Sequence, residues 1–260
     1  MTLKYEVNRE TGQMLLSGLG GTHLEITLAK MKVRYGVDVL LGEKKISYRE
    51  TIRSSCKVEG KHKKQSGGHG QYGHVKIEFS PGEGEGLTFT ESIFGGSVPK
   101  NFHPAVEKGL QECMSKGVLA GYPVVGLAAN LYDGSYHDVD SSEMAFKLAA
   151  SLAFRDGLPQ CSPVILEPVG KLCVLIPDDQ MGDVIGDLNK RRGKILGMTQ
   201  DERKRGWSNI EAEVPEAEMN DYVHALRAIS QGRGSFTFYF DHYEETPAGV
   251  AEKIIAAAKE

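Results

Sequence analysis

Between Leu172 and Tyr239 the apolar residues switch between strand and helix periods in an order that few folds accept. Leu172 to Ile176 reads as a strand. Asp179 stands where a helix cap belongs, ahead of Met181, Val184, Ile185 and Leu188 on one helical stripe. Ile195 to Met198 is a second strand, Asp201-Glu202-Arg203-Lys204-Arg205-Gly206 is a charged turn, and Trp207 to Val214 returns as a third strand. Pro215 opens a helix bearing Met219, Tyr222, Val223 and Leu226, and Ser235 to Tyr239 closes as a strand. This spells βαββαβ, the double split βαβ of a ferredoxin-like domain. Residues 247–259 read as a terminal helix with Val250, Ile254 and Ile255 apolar.

Residues 1–45 repeat part of that order. Leu3, Tyr5 and Val7 alternate, Asn8 to Gly12 turns, and Met14 to Leu16 forms a second strand. Thr22 and Glu25 make a capping box for a helix with the stripe Leu24, Leu28 and Met31, which Gly36 stops. Val37 to Leu41 is a further strand. The segment is either a ferredoxin-like domain without its opening strand and helix or a native four-element unit.

The middle of the chain is a third module. Residues 45–66 are an extended seam. His74 to Phe79 alternates apolar and polar, Pro81 to Gly86 turns, and Leu87 to Phe94 is the returning strand. A helix over residues 103–117 carries Val106, Leu110, Cys113 and Met114 on one face, and Val124 to Leu131 is a strand. Asp140 caps a helix with Glu143 as its capping-box partner and Ala145, Phe146, Ala149, Leu152 and Ala153 as its buried stripe. The expected division is 1–48, 49–164 and 165–260, and the class is α+β.

Two loops of this module carry unusual chemistry. One is Ser66-Gly67-Gly68-His69-Gly70-Gln71-Tyr72-Gly73, and the other runs from Tyr132 through Ser135, Tyr136, His137 and Asp138 to Asp140. Ahead of the first lie Lys57, Lys61, Lys63 and Lys64 against the single acid Glu59. Such a run neutralises phosphates, and glycine lets a backbone approach them. The loops read as one tip for a crowded polyanionic site. A flexible hairpin end is the alternative. Tyr72, Tyr136 and His137 suit stacking on bases or riboses, or else they pack the loop bases. Lys190, Arg191, Arg192 and Lys194 complement a helix C-terminus or meet phosphate, with Arg203, Lys204, Arg205 and Arg233 on the same basic side.

Other chemistries fit poorly. Gly68, Gly70 and Gly73 match a dinucleotide fingerprint by spacing, but a strand follows where that fingerprint needs a helix. No G-x-x-x-x-G-K-[ST] occurs, so nothing supports nucleotide hydrolysis by this chain. His69, His74, His103 and His137 lack zinc spacing, Asp133, Asp138 and Asp140 lack the EF-hand pattern, and Ser135 and Ser141 lack a nucleophile elbow. Neither a catalytic residue nor a metal site is expected. Net charge is −4, so any RNA contact is local. Cys56, Cys113, Cys161 and Cys173 form no C-x-x-C pair and read as buried thiols of a reducing compartment. The first residues lack a signal-peptide core, and no stretch of about 18 apolar residues could span a membrane, so a cytoplasmic protein is expected.

Several motifs together resemble elongation factor G of the translational GTPases. They are Gln65 to His74 (QSGGHGQYGH), Leu119 to Val124 (LAGYPV), Leu131 to Phe146 (LYDGSYHDVDSSEMAF), Met181 to Asn189 (MGDVIGDLN) and Gln231 to Gly234 (QGRG). Gly18 to Glu25 is similar to the family's domain III helix start, with Gly21 and Thr22 where Glu and Leu are usual. The resemblance covers essentially the whole chain: half of domain III, then domains IV and V. It implies a domain IV with a left-handed βαβ crossover, against the usual hand. It also implies a tip, Gly67 to Gly73 with Ser135 to Asp138, that enters the decoding centre of the small ribosomal subunit and contacts tRNA and mRNA. Domain V is then expected to face the factor-binding rRNA of the large subunit. Lys61, Lys63, Lys64, Arg191, Arg192, Lys194 and Arg233 are the candidate rRNA contacts. His69 replaces the usual arginine and removes a permanent charge. GTP and Mg²⁺ belong to a domain outside this chain, so no cofactor is expected here. Rival readings are a ribosome-protection or specialised paralogue and, in another class, a small-molecule kinase sharing the domain IV fold.

Overall fold

The computed structural model describes residues 2–8, 10–65 and 70–258. Contacts divide the chain into two units, Met1–Ser47 with Glu167–Glu244, and Tyr48–Leu166 with Glu245–Glu260. The first unit opens with β1 (Lys4–Val7) and β2 (Met14–Ser17), antiparallel with Lys4 opposite Ser17. α1 (Gly21–Tyr35) follows and ends at Gly36, whose left-handed φ of 67° lets its N–H reach Lys32 O. The expected capping box does not form. The helix starts at Gly21, so Thr22 already lies inside the first turn and cannot act as cap. Leu24, Leu28 and Met31 are half-buried, yet α1 has no fully buried residue. The expected strand Val37–Leu41 is also absent. Among the described residues this stretch has no ladder partner, and Leu40 is 95% exposed. Nearby, the Gln13 amide donates to Glu43 O and accepts from Lys45 N, holding irregular chain by side chain instead of by ladder. The module is therefore ββα.

The second unit contains β3 (Arg49–Ile52), β4 (Cys56–Lys64), β5 (Gln71–Pro81), β6 (Leu87–Glu91), α2 (His103–Met114), β7 (Leu127–Ser135) and α3 (Glu143–Gly157). Its main sheet has the order β4-β5-β7-β6, antiparallel except for the parallel pair β6 and β7 that α2 connects. The period-2 pattern buries Val75, Ile77 and Phe79 of β5 with Leu127 and Leu131 of β7, beside Leu110 of α2 and Phe146 of α3. Phe146 stacks on Phe102 with ring centres 4.6 Å apart.

Three local expectations change here. β7 runs on to Ser135, so half of the presumed second loop is strand. α3 is capped by Ser142, whose hydroxyl accepts from Ala145 N at 3.2 Å, and not by Asp140, which is engaged elsewhere. Cys56 and Cys161 form a disulfide between the start of β4 and the turn after α3; the fold brings together thiols 105 residues apart, which spacing could not reveal. Cys113 and Cys173 are free.

Glu50 of β3 has no sequence signature either. It is 1% exposed, and its carboxylate accepts N–H bonds from Leu119, Ala120 and Tyr122 at 2.8, 2.9 and 3.1 Å. That satisfies a buried charge and folds the Leu119–Val124 loop around it.

β8 (Pro163–Pro177) pairs first with β3, from Pro163 opposite Ile52 to Leu166 opposite Arg49. The first unit resumes along β8 from Glu167, with α4 (Met181–Lys190), β9 (Lys194–Gln200), β10 (Trp207–Pro215), α5 (Tyr222–Ser230) and β11 (Ser235–Glu245). The order β11-β8-β10-β9 is the ferredoxin-like arrangement read from the pattern. Leu172, Val174 and Ile176 pack with Val184, Leu188, Ile210, Val214, Tyr222 and Leu226. Asp179 is no cap, because a 3₁₀ turn at Asp178–Gln180 leads into α4. α6 (Ala248–Ala257) groups with the second unit and not with residues 167–244. Thr246 N donates to Ile165 O at 3.0 Å, and Arg53 Nε donates to Glu245 at 2.9 Å, which fastens the start of α6 there.

Candidate nucleic-acid interface

The β4–β5 hairpin end and the β7–α3 loop meet through hydrogen bonds. Gly70 N donates to Asp140 Oδ1 at 2.9 Å, and Tyr72 N donates to Asp140 O at 2.8 Å. Ser141 Oγ donates to Tyr72 O and accepts from His137 N, both at 2.9 Å. His137 Nδ1 accepts from Val139 N at 3.3 Å and Asp140 N at 3.2 Å. Those donors need a lone pair on Nδ1, so the neutral ring carries its proton on Nε2. Asp140 and Ser141 are thus the clamp between the loops. The sequence suggested a cap for one and gave no role to the other.

Glycine here serves packing as much as flexibility. A Cβ on Gly73 would run into Ala145 O, and one on Gly60 into Ala149 O, so α3 lies directly on β4 and β5. Gly134 likewise sits against His74 O. Gly70 faces the Asp140 carboxylate. Because β5 begins at Gln71, directly after Gly70, the glycine loop feeds a strand and the dinucleotide reading lacks its helix.

The clamp frames a cavity of about 180 Å³ lined by Lys63, Lys64, Gln65, Gln71, Tyr72, His137 and Asp140. Lys63 and Lys64 are exposed, and no described carboxylate pairs with them. Lys61 Nζ lies 5.9 Å from the Tyr72 ring centre, and the rings of Tyr72 and His137 are 6.4 Å apart. Tyr136 and Asp138 are exposed beside them. On the polar face of the sheet, Tyr72 OH and His74 Nδ1 each lie 2.7 Å from Ser135 Oγ, and His74 Nε2 lies 3.0 Å from Glu59 Oε1. Burial pushes the His74 pKa below its usual value; Glu59 opposes this, while Lys61 and Lys76 reinforce it. Lys76, bonded at 2.8 Å, holds the Asp133 carboxyl down to about 2, helped by Gly134 and Ser97. Gly67, Gly68 and His69 lie outside the described residues.

The other basic candidates are spoken for. Arg191 bonds Asp221 and, at 2.8 Å, Asp187, and these partners, Asp221 first, hold its pKa above the usual guanidinium value. Arg192 makes a fork to Glu167 at 2.6 and 2.8 Å and meets Glu218 at 3.0 Å, and it too is raised. Lys194 lies 3.4 Å from Glu213, and Arg233 lies 3.8 Å from Asp179. Arg191 and Arg192 therefore have less charge to offer phosphate than their sequence suggests. Among the described residues no cluster of three His, Cys, Asp or Glu could hold a metal ion, and no helix is long and apolar enough to cross a membrane.

A four-stranded sheet with a clamped two-loop tip and a ferredoxin-like sheet make this an α+β protein of two units. Family models for elongation factor G match in succession: domain III over residues 1–43, domain IV over 44–162 and the C-terminus over 164–254. A protein of Thermus thermophilus known by its crystal structure is 45% identical with a TM-score of 0.87, over 99% of this chain and 38% of that one. The chain belongs to the elongation factor G family. It spans well under half the length of that Thermus protein.

Proposed function

We propose that this chain is a ribosome-binding part of an elongation factor G that promotes movement of tRNA and mRNA, with its domain IV tip at the decoding centre of the small subunit. The observation that carries the reading is the clamped tip: Lys63, Lys64 and the His137 ring surround one small polar cavity. Cations there neutralise phosphate, and the Nε2–H of His137 is a donor for a phosphate, ribose or base acceptor. Domain V meets rRNA of the large subunit, with Lys194 and Arg233 better placed to contribute than Arg191 and Arg192. The chain performs no bond chemistry, holds no GTP or Mg²⁺ and works in the cytoplasm. A specialised paralogue or ribosome-protection factor would use the same tip contacts.

The test places this tip in a full-length factor. His137→Ala should slow translocation by roughly tenfold, on the order of one hydrogen bond to a charged group, with GTP hydrolysis little changed. Rapid kinetics of both steps on one ribosome preparation decide it. An unchanged translocation rate would refute the site. Calorimetry of the 260-residue chain with Mg²⁺ and GTP or ATP should show no binding, and micromolar affinity would favour the kinase reading instead.

A further inference from the structure

The polar side of the tip sheet holds a chain of contacts that runs inward, away from the cavity. His74 is 9% exposed, buried among charges instead of placed to meet a ligand. Glu59 and Lys61 face it from β4, Lys76 flanks it on β5, and Asp133 and Ser135 face it from β7. Register places it opposite Lys61 on one side and Ser135 on the other.

The donors have a self-consistent order. Glu59 Oε1 lies 3.0 Å from Nε2 but out of line for a hydrogen bond, so that buried nitrogen makes none. A carboxylate oxygen that close still disfavours a lone pair there, which places the proton of the neutral imidazole on Nε2. Nδ1 is then an acceptor, and Ser135 O–H donates to it across 2.7 Å. Ser135 Oγ is left to accept from Tyr72 O–H, also at 2.7 Å. The phenol is thereby committed inward. Its ring stands beside Lys61 and against the ring of His137.

We propose that His74 is a positioning residue for the tip: through Ser135 it orients Tyr72, and Tyr72 seats His137, the ring that reads the RNA. Tyr72 is then a strut and not a stacking platform. This role rests on the tip assignment above only for the RNA. A proton added at Nδ1 turns that atom into a donor, so the Ser135 hydroxyl must rotate away and a positive charge appears between Lys61 and Lys76. The geometry of Tyr72 and His137 therefore follows the charge of His74.

The experiment uses the 260-residue chain, with nuclear magnetic resonance to read the rings and binding to isolated small subunits to read function. In the parent, the Tyr72 and His137 ring signals should shift with the titration midpoint of His74, which lies below the ordinary histidine value. His74→Asn keeps a polar group near the Nδ1 position and should retain the Tyr72–His137 contact. His74→Leu should lose that contact and weaken subunit binding by about fivefold, the equivalent of one ordinary hydrogen bond. Tyr72→Phe removes only the hydroxyl, so it tests the same link without touching a buried residue. Ring signals indifferent to the His74 titration overturn the proposal, as does a Tyr72→Phe chain with His137 unmoved. If the rings respond but the parent binds no subunit, the positioning stands and the ribosomal reading of the tip fails.

Discussion

The N-terminal ββα module and the ferredoxin-like module of residues 167–244 use similar sequence devices and end in different states. Both have an amphipathic helix beside antiparallel strands. α4 buries Val184 and Leu188 completely, whereas α1 buries nothing completely and leaves Val33 89% exposed. Their ion pairs differ in the same way. Arg192 forks onto Glu167, whose side chain is 4% exposed, while Lys32 and Asp38 meet in open solvent. An apolar stripe creates a core only where a second layer covers it.

The largest expected contrast is in local opening. Amides of β1, β2 and α1 should exchange about a thousandfold faster than those of β8 and β10, roughly 4 kcal/mol of opening free energy. Equal protection in a monomeric sample would erase the contrast. Next comes truncation: Leu188→Ala should cost about 3 kcal/mol in urea unfolding, and Leu24→Ala under about 1. Comparable losses would show that α1 has a core of its own. Third, Arg192→Met should cost about 3 kcal/mol by stranding Glu167, against under about 0.5 for Asp38→Ala. A mild Arg192→Met phenotype would mean that water reaches Glu167.

Acid gives the smallest effect. Arg191 lowers the pKa of Asp221, and Lys171 with His242 lowers that of Asp241. A carboxylate depressed on folding adds stability above its unfolded pKa, near 4, and loses it as pH falls through the folded value. Unfolding midpoints should drop below about pH 4, and Lys171→Met should flatten that drop. Parallel curves for the parent and Lys171→Met would sink this.

What could be read from the chain without coordinates was whatever period and punctuation encode. The order of strands and helices between Leu172 and Tyr239, the Gly36 stop and the alternation in β5 all rest on local physics. Val37 to Leu41 misled because strand propensity needs a neighbour to pair with, and none is described there. Asp140 looked like a cap by its position before Glu143, but its carboxylate bonds Gly70 N, 70 residues away in sequence. The same distance problem hid the Cys56–Cys161 bridge, the Glu50 nest and the line from Glu59 through His74 to Tyr72. At the tip, the two loops singled out in the sequence are ones the fold brings into contact. Sequence could not tell a ring that faces outward, such as Tyr136, from one whose hydroxyl is used internally, such as Tyr72.

The bare seating of α3 on Gly60 and Gly73 has a mechanical consequence. Where side chains separate a helix from a sheet, a load is absorbed as rotamers shift. At these two points backbone rests on backbone, with no side chain between to be squeezed. A load carried along β4 or β5 therefore meets α3 directly at these two points instead of being taken up there by rotamers.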